Sequence, residues 1–94
     1  MAETEIMQRG YRITGRVQGV CFRAWTQELA TGLGLVGTVR NRPDGSVEAH
    51  ARGEGKVVTE FETRLWDGPP AARVEGVEPL ESADTLPDAF RIVY

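Results

Sequence analysis

The segment Gly15-Arg16-Val17-Gln18-Gly19-Val20-Cys21-Phe22-Arg23 gathers the residue types best suited to chemistry in this chain. A strand-like alternation leads into it and a helix-like period leaves it, so it falls at the mouth of a helix N-terminus. Free backbone N–H groups at such a terminus bind anions well. Arg23 falls in the first helical turn, where its guanidinium can make a bidentate contact to phosphate and stays charged at any working pH. The amides of Val17, Gln18, Gly19, Val20, Cys21 and Phe22 would wrap the same oxygens, and Gly19 lets the backbone come close. Taken alone, two glycines and an arginine fit a tight strand-to-helix turn with a surface arginine better than an anion site, because isolated glycine patterns have many false positives. Asn41 is the second candidate. Alternation puts it on the interior face at the end of the strand carrying Val39, where a neutral amide could orient a water or a phosphate oxygen. It could as well start the Pro43-Asp44-Gly45 turn, a common task for asparagine.

Several chemistries drop out. No glycine–lysine–serine ending follows Gly15 to Gly19, so this is not a Walker loop. A cysteine phosphatase needs an arginine six positions after its nucleophile, and Gln27 stands there. No cluster of aspartates is ready for magnesium. His50 reads as a solvated residue on an outward strand face, and Cys21 as packing. Trp25 and Trp66 read as core and helix-packing residues. Glu78, Glu81, Asp84 and Asp88 read as a solvated acidic edge.

An anion site with an arginine, an asparagine and no evident general acid, nucleophile or metal is informative. An ordinary phosphate ester needs proton donation or a metal to expel its leaving group. An acyl phosphate releases a carboxylate, whose conjugate acid has a pKa of about 4, so it leaves unaided at neutral pH. Transfer through a loose transition state chiefly needs positioning and charge stabilisation.

Composition bounds the rest. A chain of 94 residues is read as a single domain, 1–94, with one modest core. At 40% hydrophobic and 27% charged it matches ordinary globular proteins. Its formal net charge of −3 argues against a general nucleic-acid binder, so an anion site must arise from local geometry. The lone Cys21 excludes an internal disulfide and points to the cytoplasm. One cysteine and one histidine disfavour a zinc cluster. No apolar run is long enough to span a membrane, and the acidic start Met1-Ala2-Glu3-Thr4-Glu5 does not read as a signal peptide.

The elements that must position these residues follow in order. A first strand runs from about Met7 to Val17, with Tyr11, Ile13, Gly15 and Val17 on one face. A helix begins at Phe22, its apolar face Phe22, Trp25, Leu29 and Leu33; Gly32 and Gly34 end it, with Gly34 the better candidate for the left-handed cap. A second strand, about Leu35 to Asn41, and a third, Ser46 to about Gly53, form a hairpin around Pro43-Asp44-Gly45. Val47, Ala49 and Ala51 point inward there, and Glu48, His50 and Arg52 outward. A second helix spans about Lys56 to Asp67 on Val57 or Val58, Phe61 and Leu65, and Gly68-Pro69-Pro70 stops it. A fourth strand starts near Ala72 and Val74, with a bulge at Gly76-Val77, and Pro79 suits an edge. Phe90, Ile92 and Tyr94 alternate as a last strand. The expected fold is α+β, a ferredoxin-like sandwich: an antiparallel sheet of four to five strands with two helices on one face.

In these motifs the sequence resembles the acylphosphatases. The segment Gly15 to Arg23 is similar to that family's signature loop. Gly37-Thr38-Val39-Arg40-Asn41 followed by Asp44-Gly45-Ser46-Val47-Glu48 is similar to its second motif. Gly68-Pro69-Pro70 with Ala72 and Val74, and Phe90-Arg91-Ile92-Val93-Tyr94, also fit. The resemblance implies a five-stranded ferredoxin-like fold and hydrolysis of the carboxyl–phosphate bond of an acyl phosphate, without cofactor or metal. It implies that Arg23 binds phosphate and Asn41 orients the water. Inorganic phosphate would be product and competitive inhibitor, and the protein a cytoplasmic monomer with no nucleic-acid or membrane partner. Two departures stand out. Cys21 replaces a glycine found in many members, and Thr38 replaces an aromatic three positions before Asn41, which bears on packing of the sheet's other face. The alternative is a non-catalytic anion- or carbamoyl-phosphate-binding regulatory module of the same fold, like the one that opens the much longer hydrogenase maturation proteins. The short chain favours the free-standing enzyme. An RNA-recognition domain would need exposed aromatics on the central strands, and the third strand offers none.

Overall fold

The computed structural model describes residues 5–94; the start of the acidic N-terminal stretch lies outside them. The elements are β1 (Ile6–Arg16), α1 (Phe22–Gly32), β2 (Val36–Asn41), β3 (Val47–Glu54), α2 (Gly55–Leu65), β4 (Arg73–Leu80) and β5 (Phe90–Ile92). They form a ferredoxin-like sandwich whose sheet runs β4-β1-β3-β2-β5. Both helices pack on one face, α1 over β2 and β5, α2 over β1 and β3. The sheet is mixed rather than antiparallel. β5 lies parallel to β2, with Phe90 opposite Gly37 and Ile92 opposite Val39. The reason is topological: the chain leaves β4 at one edge, crosses to the other edge through residues 81–89, and arrives running the same way as β2.

The core is built from the inward faces that alternation assigned: Tyr11, Ile13 and Val17 of β1 and its extension, Val39 of β2, and Val47, Ala49 and Ala51 of β3. Small alanines on central β3 leave depth for Phe61 of α2, whose ring lies 6.1 Å from Tyr11 and 5.9 Å from Phe90. A phenylalanine holding three elements together in this way is worth about 3–5 kcal/mol relative to alanine. In α1 the fully buried stripe is Phe22, Thr26 and Ala30, while Trp25, Leu29 and Leu33 flank it half-buried. The three-and-four spacing found the right side of the helix but not its centre, because small Thr26 and Ala30 let the helix sit close to the sheet. Trp66 is no core residue: it is 49% exposed just past Leu65, which takes the buried position.

Helix ends and strand edges follow their residues. α1 closes with Leu35 N–H donating to the Ala30 carbonyl and Gly34 N–H to Thr31, with Gly34 at φ 77°. That is the Schellman arrangement, which glycine adopts without steric cost. β4 is an edge strand carrying Pro79, and its register slips one residue earlier than expected, between the Thr14–Gly76 and Gly15–Val74 pairs, leaving Glu75 as the extra residue. Glycine is required at position 15, since a Cβ there would lie 2.2 Å from the Arg73 carbonyl oxygen.

His50 is the clearest correction. It does lie on the outward face of β3, yet it is 7% exposed. Residues 81–89 cross that face: the Gln8 side chain donates to the Ala83 carbonyl, and the Glu81 carbonyl lies beside Gly10. The imidazole rests over Gly10, its β1 partner, in space that any Cβ would fill. Its Nε2 is 2.6 Å from Glu48 Oε2, and its Nδ1 has no partner among the described residues. Burial alone would raise the Glu48 pKa, but the hydrogen bond with His50 and the charge and hydrogen bond of Arg40 hold it below the usual range.

Candidate active site

β1 delivers the chain to Arg16 at one end of the sheet, and α1 starts at Phe22. The intervening turn needs two left-handed residues, Gly19 at φ 76° and Cys21 at φ 65°, ψ 25°. A Cβ on Gly19 would point into open space, so glycine serves the backbone angle there and keeps the approach clear. Cys21 is exposed rather than packed, and it is the N-cap of α1. Its side chain caps no N–H, and the first turn holds no acidic residue. Among the described residues no backbone N–H from Gln18 to Arg23 donates to another backbone group of the loops and caps. The positive end of α1 therefore remains open for an anion.

Val17, Gly19, Cys21, Phe22, Arg23 and Asn41 line one depression of about 270 Å³ at this end. Arg23 has no carboxylate partner among the described residues; its guanidinium carbon lies 5.1 Å from the centre of the Tyr94 ring. A second depression, on the open face of the sheet, is lined by Arg12, Thr14, Gly15, Asp44, Gly45 and Ser46. Its charges are engaged with one another. Arg12 pairs with Asp44 at 3.0 Å and with Glu78 at 3.1 Å, so Glu78 is not merely a solvated edge residue. Hydrogen bonds from Ser46 and Arg12 hold the Asp44 carboxyl well below the usual carboxylate range. Arg23 is not neutralised in this way.

Asn41 ends β2 opposite Val47, directly before the turn. Its side chain makes no hydrogen bond among the described residues, so the carboxamide is free to act on something in the depression. The turn is closed by Arg42 N–H donating to the Ser46 carbonyl at 2.8 Å. Asn41 thus lies at the base of the hairpin tip, and turn formation is left to Arg42, Asp44 and Ser46. Val20 is buried against the core rather than lining the depression, and Gln18 turns its side chain to the hairpin. Reading Gln18 only as a backbone donor missed this, because nothing in its spacing discloses a partner 24 residues away.

The sequence profile of the acylphosphatases matches residues 9–92, which take in the whole site. The chain belongs to the acylphosphatase family. It is 51% identical over 82 residues to the acylphosphatase of Rhizobium meliloti (strain 1021), covering 86% of each chain. Among solved structures, the acylphosphatase from Bacillus subtilis superposes with a TM-score of 0.83 at 35% identity, over 96% of this chain and all of that one. Full-length HypF, solved in its phosphate- and nucleotide-bound form, contains a similar unit. There the TM-score is 0.76 at 26% identity, and 96% of this chain matches only 12% of HypF. As a member of the acylphosphatase family, the protein is an enzyme that hydrolyses acyl phosphates.

Proposed function

We propose that Arg23 and the amides of residues 17–22 hold the substrate's phosphoryl group while Asn41 positions the attacking water. The phosphoryl oxygens sit against the uncapped start of α1, and the acyl group points out of the depression. Water enters opposite the acyl oxygen, the new P–O bond forms, and the P–O bond to the carboxylate breaks. The water's proton passes to a phosphoryl oxygen, since no carboxylate or imidazole among the described residues lines the depression. Charge gathers on oxygens already facing a guanidinium and backbone N–H groups, which is the electrostatic help a loose transition state uses. The observation that carries this reading is that an unpaired guanidinium, an uncapped helix N-terminus and an unengaged carboxamide share one depression.

Inorganic phosphate then competes with substrate for the same cradle. The chain acts as one unit, residues 1–94, as a monomer without a nucleic-acid partner, and the lone cysteine suits a reducing cytoplasm. No described helix is long and apolar enough to cross a membrane, and no three His, Cys, Asp or Glu residues among those described come together to hold a metal. The test follows benzoyl phosphate loss by absorbance, with and without chelator, for the wild type and Asn41→Ala. Expected are turnover insensitive to chelator and a kcat lower by about 10²–10³-fold in the variant. Near-normal turnover by Asn41→Ala overturns the assignment of that residue. Activity abolished by chelator overturns metal independence.

A further inference from the structure

Gln18 commits both of its amide hydrogens to the hairpin that carries Asn41. Its Nε2 donates to the Arg42 carbonyl at 2.8 Å and to the Ser46 carbonyl at 2.9 Å. These carbonyls flank the turn on opposite legs, one residue beyond the Asn41–Val47 pair. One carboxamide therefore grips both legs of the hairpin from the middle of the phosphate loop. Among the described residues no backbone hydrogen bond of the loops and caps joins 17–21 to 41–47, so this side chain is the polar link between the two halves of the site.

We propose that Gln18 is a positioning residue: its forked contact fixes the separation between the phosphate cradle and the Asn41 carboxamide, and so sets the line along which water attacks. The proposal rests on the roles given above to Arg23 and Asn41. Val17 and Val20 anchor the loop in the core, but its backbone between them carries two left-handed residues and an uncapped helix start, and neither valine reaches the hairpin carbonyls. In-line displacement is unforgiving, and a misplacement of about 1 Å costs about 10²-fold in rate. The residue type fits the task. Glutamine supplies two hydrogens on one nitrogen and reaches both carbonyls. Glutamate would set a carboxylate against two carbonyl oxygens, and asparagine is a methylene shorter.

The test is a double-mutant cycle on kcat with benzoyl phosphate, using Gln18→Met, which keeps stem length without donors, and Asn41→Ala. Gln18→Ala serves as a second probe. Inhibition by inorganic phosphate is measured on each protein to report the cradle alone. Gln18→Met is expected to lower kcat by about 10–100-fold. Its phosphate inhibition constant should stay within about threefold, and it should lower kcat less than about threefold further when added to Asn41→Ala. A general loosening of the loop would weaken phosphate binding and multiply the Asn41→Ala loss by its full factor, and either result overturns the proposal. So does a kcat for both Gln18 variants within threefold of wild type. If Asn41→Ala itself turns over normally, the proposal falls with the site reading beneath it, an outcome distinct from additivity.

Discussion

Arg23→Ala should separate activity from stability. In the proposed complex the guanidinium makes two charge-assisted hydrogen bonds, each worth about 1.5–3 kcal/mol. Losing both removes about 3–6 kcal/mol of transition-state binding, or about 10²–10⁴ in kcat/KM. The folded protein loses much less. Arg23 has no carboxylate partner among the described residues, so no buried charge is orphaned, and the contact given up is the one with Tyr94. An exposed cation–π contact is worth about 0.5–1 kcal/mol. A cation at a helix N-terminus is itself unfavourable by about 0.3–1 kcal/mol, which offsets that loss. Stability should therefore change by less than about 1 kcal/mol, or less than about 8 °C in Tm for a domain of this size. The assay is kcat/KM with benzoyl phosphate, inhibition by inorganic phosphate, and a thermal melt. Arg23→Lys, which keeps charge without the fork, should fall between wild type and alanine. A loss below tenfold in kcat/KM, or unchanged phosphate inhibition, would refute the reasoning.

Cys21→Gly should stabilise the protein by about 0.5 kcal/mol, because a left-handed side-chain residue costs about 1–2 kcal/mol and the added freedom of the unfolded chain returns part of it. A lower urea midpoint in the glycine variant would contradict this. Gly37→Ala should cost more than about 3 kcal/mol, since a Cβ there would lie 1.8 Å from the His50 carbonyl oxygen and force β2 from β3; a Tm near wild type would be inconsistent with that packing. Glu48 titrates below the usual range in the folded protein, so the unfolded chain binds more protons in acid. Its contribution is complete above a pH of about 4.5 and is lost as pH falls through the folded pKa. Urea midpoints against pH should show a flatter acid limb for Glu48→Gln, and superimposable limbs would exclude the carboxylate's role.

Local chemistry was legible wherever one element sufficed. Alternation in β1, β2 and β3 assigned the inward residues, and Gly34 and Pro79 marked a helix cap and an edge strand. The misread residues are those whose surroundings arrive from far along the chain. His50 is buried over Gly10 on the face that residues 81–89 reach at Gln8 and Gly10, and β5 runs parallel to β2 because of where that crossing ends. Trp66 is an exception of local origin: it is 49% exposed one residue past Leu65, which takes the buried position.

By itself, the order of residues picked out the candidates for the chemistry: a guanidinium in the first turn of a helix, glycines that open a loop, an asparagine closing a strand. These follow from backbone geometry over a few residues, and local propensity encodes that directly. Only the tertiary structure decided that Arg23 has no carboxylate partner among the described residues while Arg12 is neutralised, and that Asn41 shares its depression. It alone decided that Gln18 joins the loop to the hairpin. Those are relations between segments 18 to 66 residues apart, set by sheet register and packing, and no periodicity along the chain records them.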